Sequence, residues 1–331
     1  MGVRTEVLKI LEANRETDLS GQELAALLGV SRSAVWKAVQ QLKAEGYHVE
    51  AANNRGYRLQ QDSDVLSAEG ISLKLDSRYR DREICVHKCV DSTNQEAKRR
   101  ALEGAGEGLA VLAEQQTMGK GRRGRSFYSP AGTGLYMSVL LRPDEKKARN
   151  VVLMTTAASV AVCRAVRRIL KEEPEIKWVN DVYLRGKKIC GILTEAVADV
   201  ESGKIDTVVV GIGVNCYPPA EGLPEEIREV VGFVCREDNR VPRNHLAAAI
   251  LNELYQLYEG LEERTYLEDY RQWSNVIGRK VRFTTDVDIK DESGWIQGTA
   301  VDIDRDGGLV VRLESGEQTV LRTGEITLRL K

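Results

Sequence analysis

Residues 176–198 read IKWVNDVYLRGKKICGILTEAVA, two largely apolar stretches separated by Arg185-Gly186-Lys187. A glycine between charged residues at such a junction is typical of a tight hairpin. We therefore expect residues 176–184 and 188–198 to form neighbouring antiparallel strands. Adjacent strands joined in this way argue against regular β-α-β winding. The segment predicts a mixed or antiparallel sheet in a multidomain α+β protein.

Flanking patterns extend this domain from residue 84 to about residue 274. Further strands are predicted at 110–114, 135–141 and 206–215, and helices at 95–102, 151–170 and 245–261. From residue 277 onward, short alternating strands separated by glycine and aspartate turns predict a small β-barrel cap.

Residues 119–125 read GKGRRGR, four cations and three glycines. Such a stretch adds little to a stable fold, because like charges repel and glycine favours no regular element. It suits a flexible loop whose backbone amides and guanidinium groups close over an anion such as phosphate. A solvated basic loop, or one that binds nucleic acid, is the alternative.

Polar residues also gather at predicted strand ends. Ser92, Thr93 and Asn94 follow an apolar strand and could present hydroxyl, amide and N–H groups to a neutral polar ligand. Ser92 with Gln95 also fits a capping box, which alone would explain the serine.

The 176–198 segment and the strand after it carry more candidates. Alternation places Lys177 and Asp181 on one strand face, either as part of a site or as a simple salt bridge. Lys188 lies in an apolar strand, where a cation is costly without an anionic or polar partner. Gly211 and Gly213 end another strand and would let a flat ligand approach the backbone.

These candidates are rich in cations and poor in nucleophiles. The sequence contains no recognisable Ser-His-Asp set, metal cluster or Walker lysine, and we predict no metal site formed by protein ligands. Cys85-Val86-His87-Lys88-Cys89 is better interpreted as a plain strand than as a metal half-site. Such a site would act by positioning reactants and neutralising charge, as phosphoryl or nucleotidyl transfer requires.

The first 62 residues predict a winged helix-turn-helix. Apolar spacing marks three helices, Ser20 and Glu23 form a capping box, and Gly29 lies in the short turn before the third helix. Short strands around residues 53–56 form the wing. Exposed cations exceed acids on the third helix and wing, counting Arg32, Lys37, Lys43, Arg55 and Arg58 against Glu45 and Glu50.

This local excess favours DNA, although residues 1–62 as a whole hold eight bases and eight acids. Two copies on a two-fold site would then be needed for firm binding. A wing used for protein contacts is the alternative. The predicted DNA-binding residues are Ser31, Arg32, Ser33, Lys37 and Arg55.

Composition and charge exclude several classes of protein. The 331 residues carry a formal net charge of −2, which excludes a globally basic nucleic-acid coat. No apolar run is long enough for a membrane helix, and the N-terminus lacks the apolar core of a signal peptide. Six scattered cysteines are typical of reduced thiols, so we expect a cytoplasmic protein that does not bind membranes.

Taken together, these motifs resemble the bifunctional biotin–protein ligase and biotin operon repressor family. They occur in the family's order over nearly the whole chain. The resemblance implies a winged helix-turn-helix at 1–62, a catalytic domain like that of class II aminoacyl-tRNA synthetases at 63–275, and an SH3-like β-barrel at 276–331.

It also implies a reaction in two steps. Biotin would attack the α-phosphorus of ATP, with Mg²⁺, to give biotinyl-5′-AMP and pyrophosphate. A lysine of a biotin carboxyl carrier protein, a subunit of acetyl-CoA carboxylase, would then take the biotin. The adenylate-bound protein would form a homodimer that grips operator DNA.

The resemblance assigns roles to matching positions. The implied catalytic residues are Arg122, Lys177, Asp181 and Lys188, with Asp181 orienting or deprotonating the incoming amine. Those implied to bind biotin are Ser92, Thr93, Asn94, Gln116, Lys120, Gly121, Arg122, Lys188, Gly211 and Gly213. Those implied to bind ATP are Arg122, Arg123, Lys177, Asn215, Glu325 and Arg329.

Three positions depart from the family pattern: Lys120 replaces the common arginine, Met118 a small residue, and Val179 the common proline. None removes a catalytic charge. A repressor that senses a metabolite without catalysis, and a lipoate or octanoyl ligase, are the alternative functions.

Overall fold

A computed structural model of the chain describes residues 2–15, 17–52, 55–198, 204–235, 242–284, 295–322 and 325–328. It divides into two compact units. One comprises Met1–Asp81 with Glu237–Ala249, and the other comprises Arg82–Arg236 with Ile250–Lys331.

The N-terminal unit contains the predicted helix-turn-helix. Its elements are α1 (Val3–Ala13), α2 (Gly21–Leu28), α3 (Arg32–Ala44), β1 (Val49–Ala52), β2 (Gly56–Leu59) and α4 (Ala68–Ser72). The capping box at α2 is confirmed, because Ser20 Oγ accepts from Glu23 N at 3.0 Å and the Glu23 carboxylate accepts from Ser20 N at 2.8 Å. Gly29 ends α2 with φ of 63°, a left-handed conformation that glycine adopts at little cost. The wing tip, residues 53 and 54, lies outside the described residues.

One apolar core holds this unit together. Val7 and Leu11 of α1 pack with Val35, Val39 and Leu42 of α3, and all five are fully buried. Burying each such side chain contributes about 1.5–3 kcal/mol. The spacing of these residues along each helix is what the sequence pattern predicts for a core-facing stripe.

The second unit is built on a seven-stranded mixed sheet in the order β3-β4-β5-β9-β8-β7-β6. Only β3 and β4 are parallel among its neighbouring pairs, which confirms the predicted mixed sheet. Its strands are β3 (Ile84–Val90), β4 (Ala110–Gln116), β5 (Gly134–Leu141), β6 (Glu175–Lys177), β7 (Asp181–Leu184), β8 (Lys187–Ala198) and β9 (Ile205–Asn215).

Six helices accompany the strands along the chain: α5 (Thr93–Leu102), α6 (Glu145–Ala148), α7 (Val151–Leu170), α8 (Glu225–Arg228), α9 (Arg243–Glu259) and α10 (Leu267–Gln272). α7 has the predicted bounds and is largely buried, which suits its run of small and apolar residues. α9 runs across the division between the two units.

The prediction of one strand over residues 176–184 is wrong. β6 ends at Lys177, a turn occupies residues 178–180, and β7 begins at Asp181, so the segment is itself a hairpin. The turn contains a cis peptide bond between Trp178 and Val179. Asn180 anchors the turn to β8, since its carbonyl accepts from Ile192 N at 2.9 Å and its side chain donates to Ile192 O at 3.0 Å. These bonds to a distant strand are invisible to strand periodicity.

The C-terminal sheet is antiparallel throughout and has the order β13-β12-β11-β10-β14. Its strands are β10 (Lys280–Thr284), β11 (Ile296–Ile303), β12 (Leu309–Leu313), β13 (Gln318–Leu321) and β14 (Glu325–Leu328). β14 is not predicted from the sequence, and it pairs with β10, which lies about 40 residues earlier in the chain.

Within the described ranges, none of the helices combines the length and apolar character needed to cross a membrane.

We predict that Gly56→Ala destabilises the wing more than Gly46→Ala does. Both glycines have φ near +100°, so alanine costs about 1–3 kcal/mol of backbone strain at either position. At Gly56 the new Cβ would also lie 2.2 Å from the Leu19 carbonyl oxygen, whereas at Gly46 the nearest atom is 3.9 Å away. Leu19 cannot retreat easily, because it exchanges two backbone hydrogen bonds with Tyr57.

Amide hydrogen exchange across residues 45–60, measured at increasing urea, checks this prediction. The extra overpacking at Gly56 should add about 1–3 kcal/mol to the loss. Equal losses of protection in the two variants would contradict it.

Candidate active site

A cleft of about 340 Å³ opens in the second unit. It is lined by the start of α5, the 119–127 loop, the 178–180 turn, and the strands β8 and β9. The predicted site residues that line it are Ser92, Thr93, Asn94, Gln116, Lys120, Gly121, Arg122, Arg123, Lys177, Asp181, Lys188, Gly211 and Gly213. Five segments that are separate in sequence are thus brought to one place.

The charge of the cleft is strongly unbalanced. Six cations line it (Lys120, Arg122, Arg123, Arg125, Lys177 and Lys188), and Asp181 is the one carboxylate among its described lining residues. Cations confined in this way repel each other, and the repulsion is stronger where the surroundings exclude water. The cleft therefore favours an anionic ligand.

Lys188 and Asp181 form an ion pair, with Nζ 2.7 Å from Oδ1 and both side chains about three-quarters buried. The predicted alternative paired Asp181 with Lys177 instead. Lys177 and Asp181 do face each other, but as partners across the β6–β7 hairpin and not as residues of one strand. Asp181 thus offsets part of the cost of placing Lys188 in an apolar strand.

The cationic loop folds back on itself. Gly121 N donates to Arg125 O at 2.7 Å, and Phe127 N donates to Gly119 O at 2.8 Å. Arg122 Nη1 donates to Asn180 Oδ1 at 3.1 Å, which ties the loop to the turn after β6. The anchoring role of Asn180 is not predicted from the sequence, because it depends on the turn.

A buried polar network supports the other wall. Gln116 Oε1 accepts from both Thr93 N at 2.9 Å and Thr93 Oγ1 at 3.1 Å. Ser138 Oγ lies 2.7 Å from Thr93 Oγ1 and 2.6 Å from Asn94 Oδ1. The sequence does not point to Ser138, since it lies within an apolar strand with no motif around it.

The predicted capping box at Ser92 is wrong. Ser92 is the N-cap of α5 and is buried, but its side chain makes no cap hydrogen bond.

Asn94 connects α5 to the sheet. Its amide nitrogen donates to Glu195 Oε2 at 2.7 Å and to Leu193 O at 3.2 Å, and Lys98 Nζ lies 2.7 Å from Glu195 Oε1. Burial alone would raise the pKa of Glu195. The hydrogen bonds from Lys98 and Asn94, with the charges of Lys98 and Lys120, outweigh burial and hold that pKa below its usual value.

The two strand glycines make room for side chains of the protein itself. A Cβ on Gly211 would lie 2.2 Å from Asn94 Oδ1, and one on Gly213 would lie 2.6 Å from Phe127 Cε1. In this structure Asn94 and Phe127 take the places where a flat ligand was expected. Direct contact of these glycines with a ligand remains a prediction.

Three predicted nucleotide contacts are not among the described residues that line the cleft. Asn215 ends β9 outside the cleft lining, and its side chain donates to Lys188 O at 3.4 Å. Glu325 lies in β14, where only the backbone is described, and Arg329 lies outside the described residues.

Trp178 and Phe127 line the cleft but were not predicted to do so. Trp178 Nε1 donates a hydrogen bond to Gly307 O at 3.0 Å, in the turn between β11 and β12, a contact that no local pattern signals.

Four of the predicted DNA-binding residues lie at the N-cap and in the first half of α3, and Arg55 lies on the wing. Ser31 is the N-cap of α3 and accepts from Ala34 N, whereas Arg32, Ser33, Lys37 and Arg55 are exposed. Arg58, counted in the local positive excess, forms ion pairs with Glu50 at 3.0 Å and Asp18 at 3.6 Å. The free positive charge of this face is therefore smaller than the sequence count.

Three family models match the chain. The biotin/lipoate A/B protein ligase family matches residues 86–215, an HTH domain matches residues 3–58, and the biotin protein ligase C terminal domain matches residues 276–329. The fold and the cationic cleft thus define a class: a protein ligase domain joined to a helix-turn-helix.

Relatives narrow the class. The bifunctional ligase/repressor BirA of Escherichia coli is 31% identical over 315 residues, covering 94% of this chain and 92% of that protein. The Bacillus subtilis protein of the same name is 30% identical over 318 residues, covering 95% of each chain. The chain belongs to this family of bifunctional ligase/repressors. A solved biotin protein ligase from Aquifex aeolicus, in complex with biotin and ATP, is similar with a TM-score of 0.63 and 27% identity, covering 75% of this chain and 99% of that one.

The Glu195 contacts generate a prediction on pH. The folded-state pKa of Glu195 lies below its ordinary value of 4.5, so its stabilising contribution is complete above pH 4.5 and is lost as the pH falls through the folded-state pKa. Glu195→Gln should therefore be less stable than wild type at neutral pH. The difference in free energy of unfolding should shrink below pH 4.5.

Urea unfolding at a series of pH values measures this difference. Glu314→Gln, an exposed carboxylate in the turn after β12, is the control and should show little difference at any pH. A constant gap between wild type and Glu195→Gln from pH 7 to pH 3 would contradict the prediction.

Proposed function

We propose that this chain activates biotin with ATP, transfers it to a lysine of a biotin carboxyl carrier protein, and represses transcription in response to biotin. The observation that carries the ligase proposal is the cleft, in which six cations face a single carboxylate among the described lining residues. Similarity over nearly the full length of bifunctional ligase/repressors supports both activities.

The cleft suits the first step for an electrostatic reason. A carboxylate and a triphosphate repel each other, so attack at the α-phosphorus requires both to be neutralised and aligned. We propose that Lys120 and Arg122 hold the biotin carboxylate and the α-phosphate, and that Lys188 bridges them. Arg122 is already oriented by Asn180, which lowers the entropy lost on binding.

In the second step the lysine amine of the carrier attacks the acyl carbon of biotinyl-5′-AMP, and AMP departs. Asp181 is our candidate for orienting or deprotonating that amine. Because Asp181 pairs with Lys188 in this structure, it becomes available as a base only when Lys188 turns to the phosphate. The same ion pair would thus position Lys188 before the substrates bind.

We propose that biotin contacts Ser92, Thr93, Asn94, Gln116, Lys120, Gly121, Arg122, Lys188, Gly211 and Gly213. We propose that ATP contacts Arg122, Arg123, Lys177, Asn215, Glu325 and Arg329.

Among the described residues, no group of three or more histidine, cysteine or carboxylate side chains could hold a metal ion. Mg²⁺, which proteins usually hold with few ligands of their own together with substrate phosphates, would offset phosphate charge here.

The domain proposal keeps the boundaries 1–62, 63–275 and 276–331. Five antiparallel strands, with β14 returning to pair with β10, support an SH3-like barrel for the last domain. We further propose that the adenylate-bound protein is a homodimer on operator DNA, since the modest charge of one N-terminal unit would bind weakly alone.

Transfer of labelled biotin tests the ligase. Purified protein with biotin, MgATP and a biotin carboxyl carrier domain should label that domain. No transfer at stoichiometric enzyme would refute the proposal and favour a repressor without catalysis. Since the matched family also includes lipoate ligases, lipoate should be offered in competition, and preferential transfer of lipoate would favour that alternative.

In the same assay Arg122→Gly should release biotinyl-5′-AMP into solution before transfer, because it loses both the charge and the anchor on Asn180. Arg122→Lys keeps the charge but not the forked geometry, so it should retain the adenylate better. Losing a charged hydrogen bond of this kind costs about 1.5–3 kcal/mol, or roughly 10- to 150-fold in retention. Retention equal to wild type in Arg122→Gly would show that the loop does not hold the adenylate.

DNA binding has its own test. Lys37→Ala should weaken binding to all duplexes and lower the slope of log affinity against log salt by about 1, as expected when one phosphate contact is lost. Lys9→Ala, on α1 and paired with Glu6, is the charge-matched control and should leave the slope unchanged. Identical slopes in the two variants would remove Lys37 from the interface.

A further inference from the structure

The N-terminal unit exposes a large aromatic side chain that none of the assignments above uses. Trp36 of α3 is 54% exposed, and the other strongly exposed large apolar side chain among the described residues of this unit is Leu27, at 69%. A tryptophan left in water forgoes a large hydrophobic gain, and tryptophan is the residue type most enriched where a partner covers a surface.

Trp36 lies in the middle of a continuous exposed stripe. Arg32, Ser33, Trp36, Lys37 and Gln40 are all exposed, and their spacing places them on one side of the helix. The opposite side of α3 packs into the core. Arg32, Trp36 and Gln40 follow each other at about 6 Å along the helix axis, close to the rise of two base pairs.

The composition of the stripe distinguishes nucleic acid from a protein partner. It contains two cations and no acid. A protein surface that covered Trp36 would have to desolvate Arg32 and Lys37, which is costly unless each finds a partner charge. A DNA groove covers the aromatic ring and supplies phosphates at its edges.

We propose that Trp36 reads DNA sequence directly, by apolar contact with the 5-methyl group of a thymine in the major groove. This inference rests on the proposed repressor function. The second helix of a helix-turn-helix enters the major groove with its first turns towards the base edges. There the thymine methyl is the apolar feature that distinguishes T·A from the other pairs. Arg32 and Gln40, one turn to either side, have the donors that suit guanine and adenine.

The probe is a duplex selected from a random pool by the full-length wild-type protein in the presence of biotin and MgATP. On this duplex Trp36→Ala should bind roughly tenfold more weakly, the usual cost of one lost base contact. Trp36→Phe keeps an apolar ring and should retain most of the affinity. Leu27→Ala, which removes the other exposed apolar side chain of the unit, should bind as wild type does.

Uracil substitution isolates the methyl group, because uracil differs from thymine only by its absence. Replacing the thymines one at a time should identify a position where uracil weakens wild type several-fold and leaves Trp36→Ala unaffected, the non-additivity expected for a direct contact. The slope against salt should be the same in both proteins, since an apolar contact releases no counterions. Biotin transfer should also be unchanged in Trp36→Ala.

Three results would overturn the inference. In the first, uracil has equal effects on both proteins at every thymine. In the second, Trp36→Ala weakens binding to a scrambled duplex as much as to the selected one, which would indicate a backbone contact. In the third, sedimentation shows that Trp36→Ala impairs dimer formation, which would assign the side chain to a second copy of the chain. If the wild-type protein enriches no duplex, the proposed repressor function itself fails and this inference fails with it.

Discussion

Electrostatic repulsion among the cations of the cleft is the constraint on which the rest of the second unit depends. Six positive side chains are held around one cavity, and the only carboxylate among its described lining residues is paired with one of them. A flexible chain would separate such charges into water. Here the backbone keeps them around one cavity, and the folded sheet and turns offset the repulsion that remains after solvent screens the exposed Lys120, Arg123 and Arg125.

Two asparagine side chains hold the walls of the cleft in place by hydrogen bonds within the protein. Asn180 bonds to β8 through both its backbone and its side chain, and it still offers an oxygen to Arg122. Asn94 similarly joins α5 to β8 and approaches Gly211 so closely that a side chain there would collide with it. Each residue is buried or half-buried with its hydrogen bonds made inside the protein, which fixes its position before a ligand arrives. The moving part would be the loop, and its reference points are fixed.

The N-terminal unit is stabilised by an apolar core, whereas the cluster of cations around the cleft belongs to the second unit. The positive charge that α3 and the wing present together is modest, in part because Arg58 of the wing is paired with two carboxylates. On our proposal, weak electrostatic attraction would leave specificity to contacts with base edges and affinity to dimerisation. If the adenylate bound the dimer more tightly than the monomer, adenylate formation in the second unit would raise the occupancy of DNA by the N-terminal unit. A ligand shifts a monomer–dimer equilibrium only through its differential affinity for the two states.

Local chemistry was readable from the chain alone. The capping box at Ser20, the bounds of α7, the hairpin at Gly186 and the cationic loop each depend on residues within a few positions of one another, and short-range patterns encode such features directly. The mixed sheet and the helix-turn-helix followed from them. Thirteen of the sixteen residues predicted for the active site line one cleft.

Tertiary structure decided the rest. The turn at residues 178–180 depends on Ile192, the partner of Asp181 is Lys188, and the hydroxyl of Ser92 leaves the helix cap unfilled. The glycines of β9 are required by Asn94 and Phe127, which come from other parts of the chain. All of these depend on which distant side chains meet in the folded sheet, and a linear pattern carries no information about such meetings until the strand order is fixed.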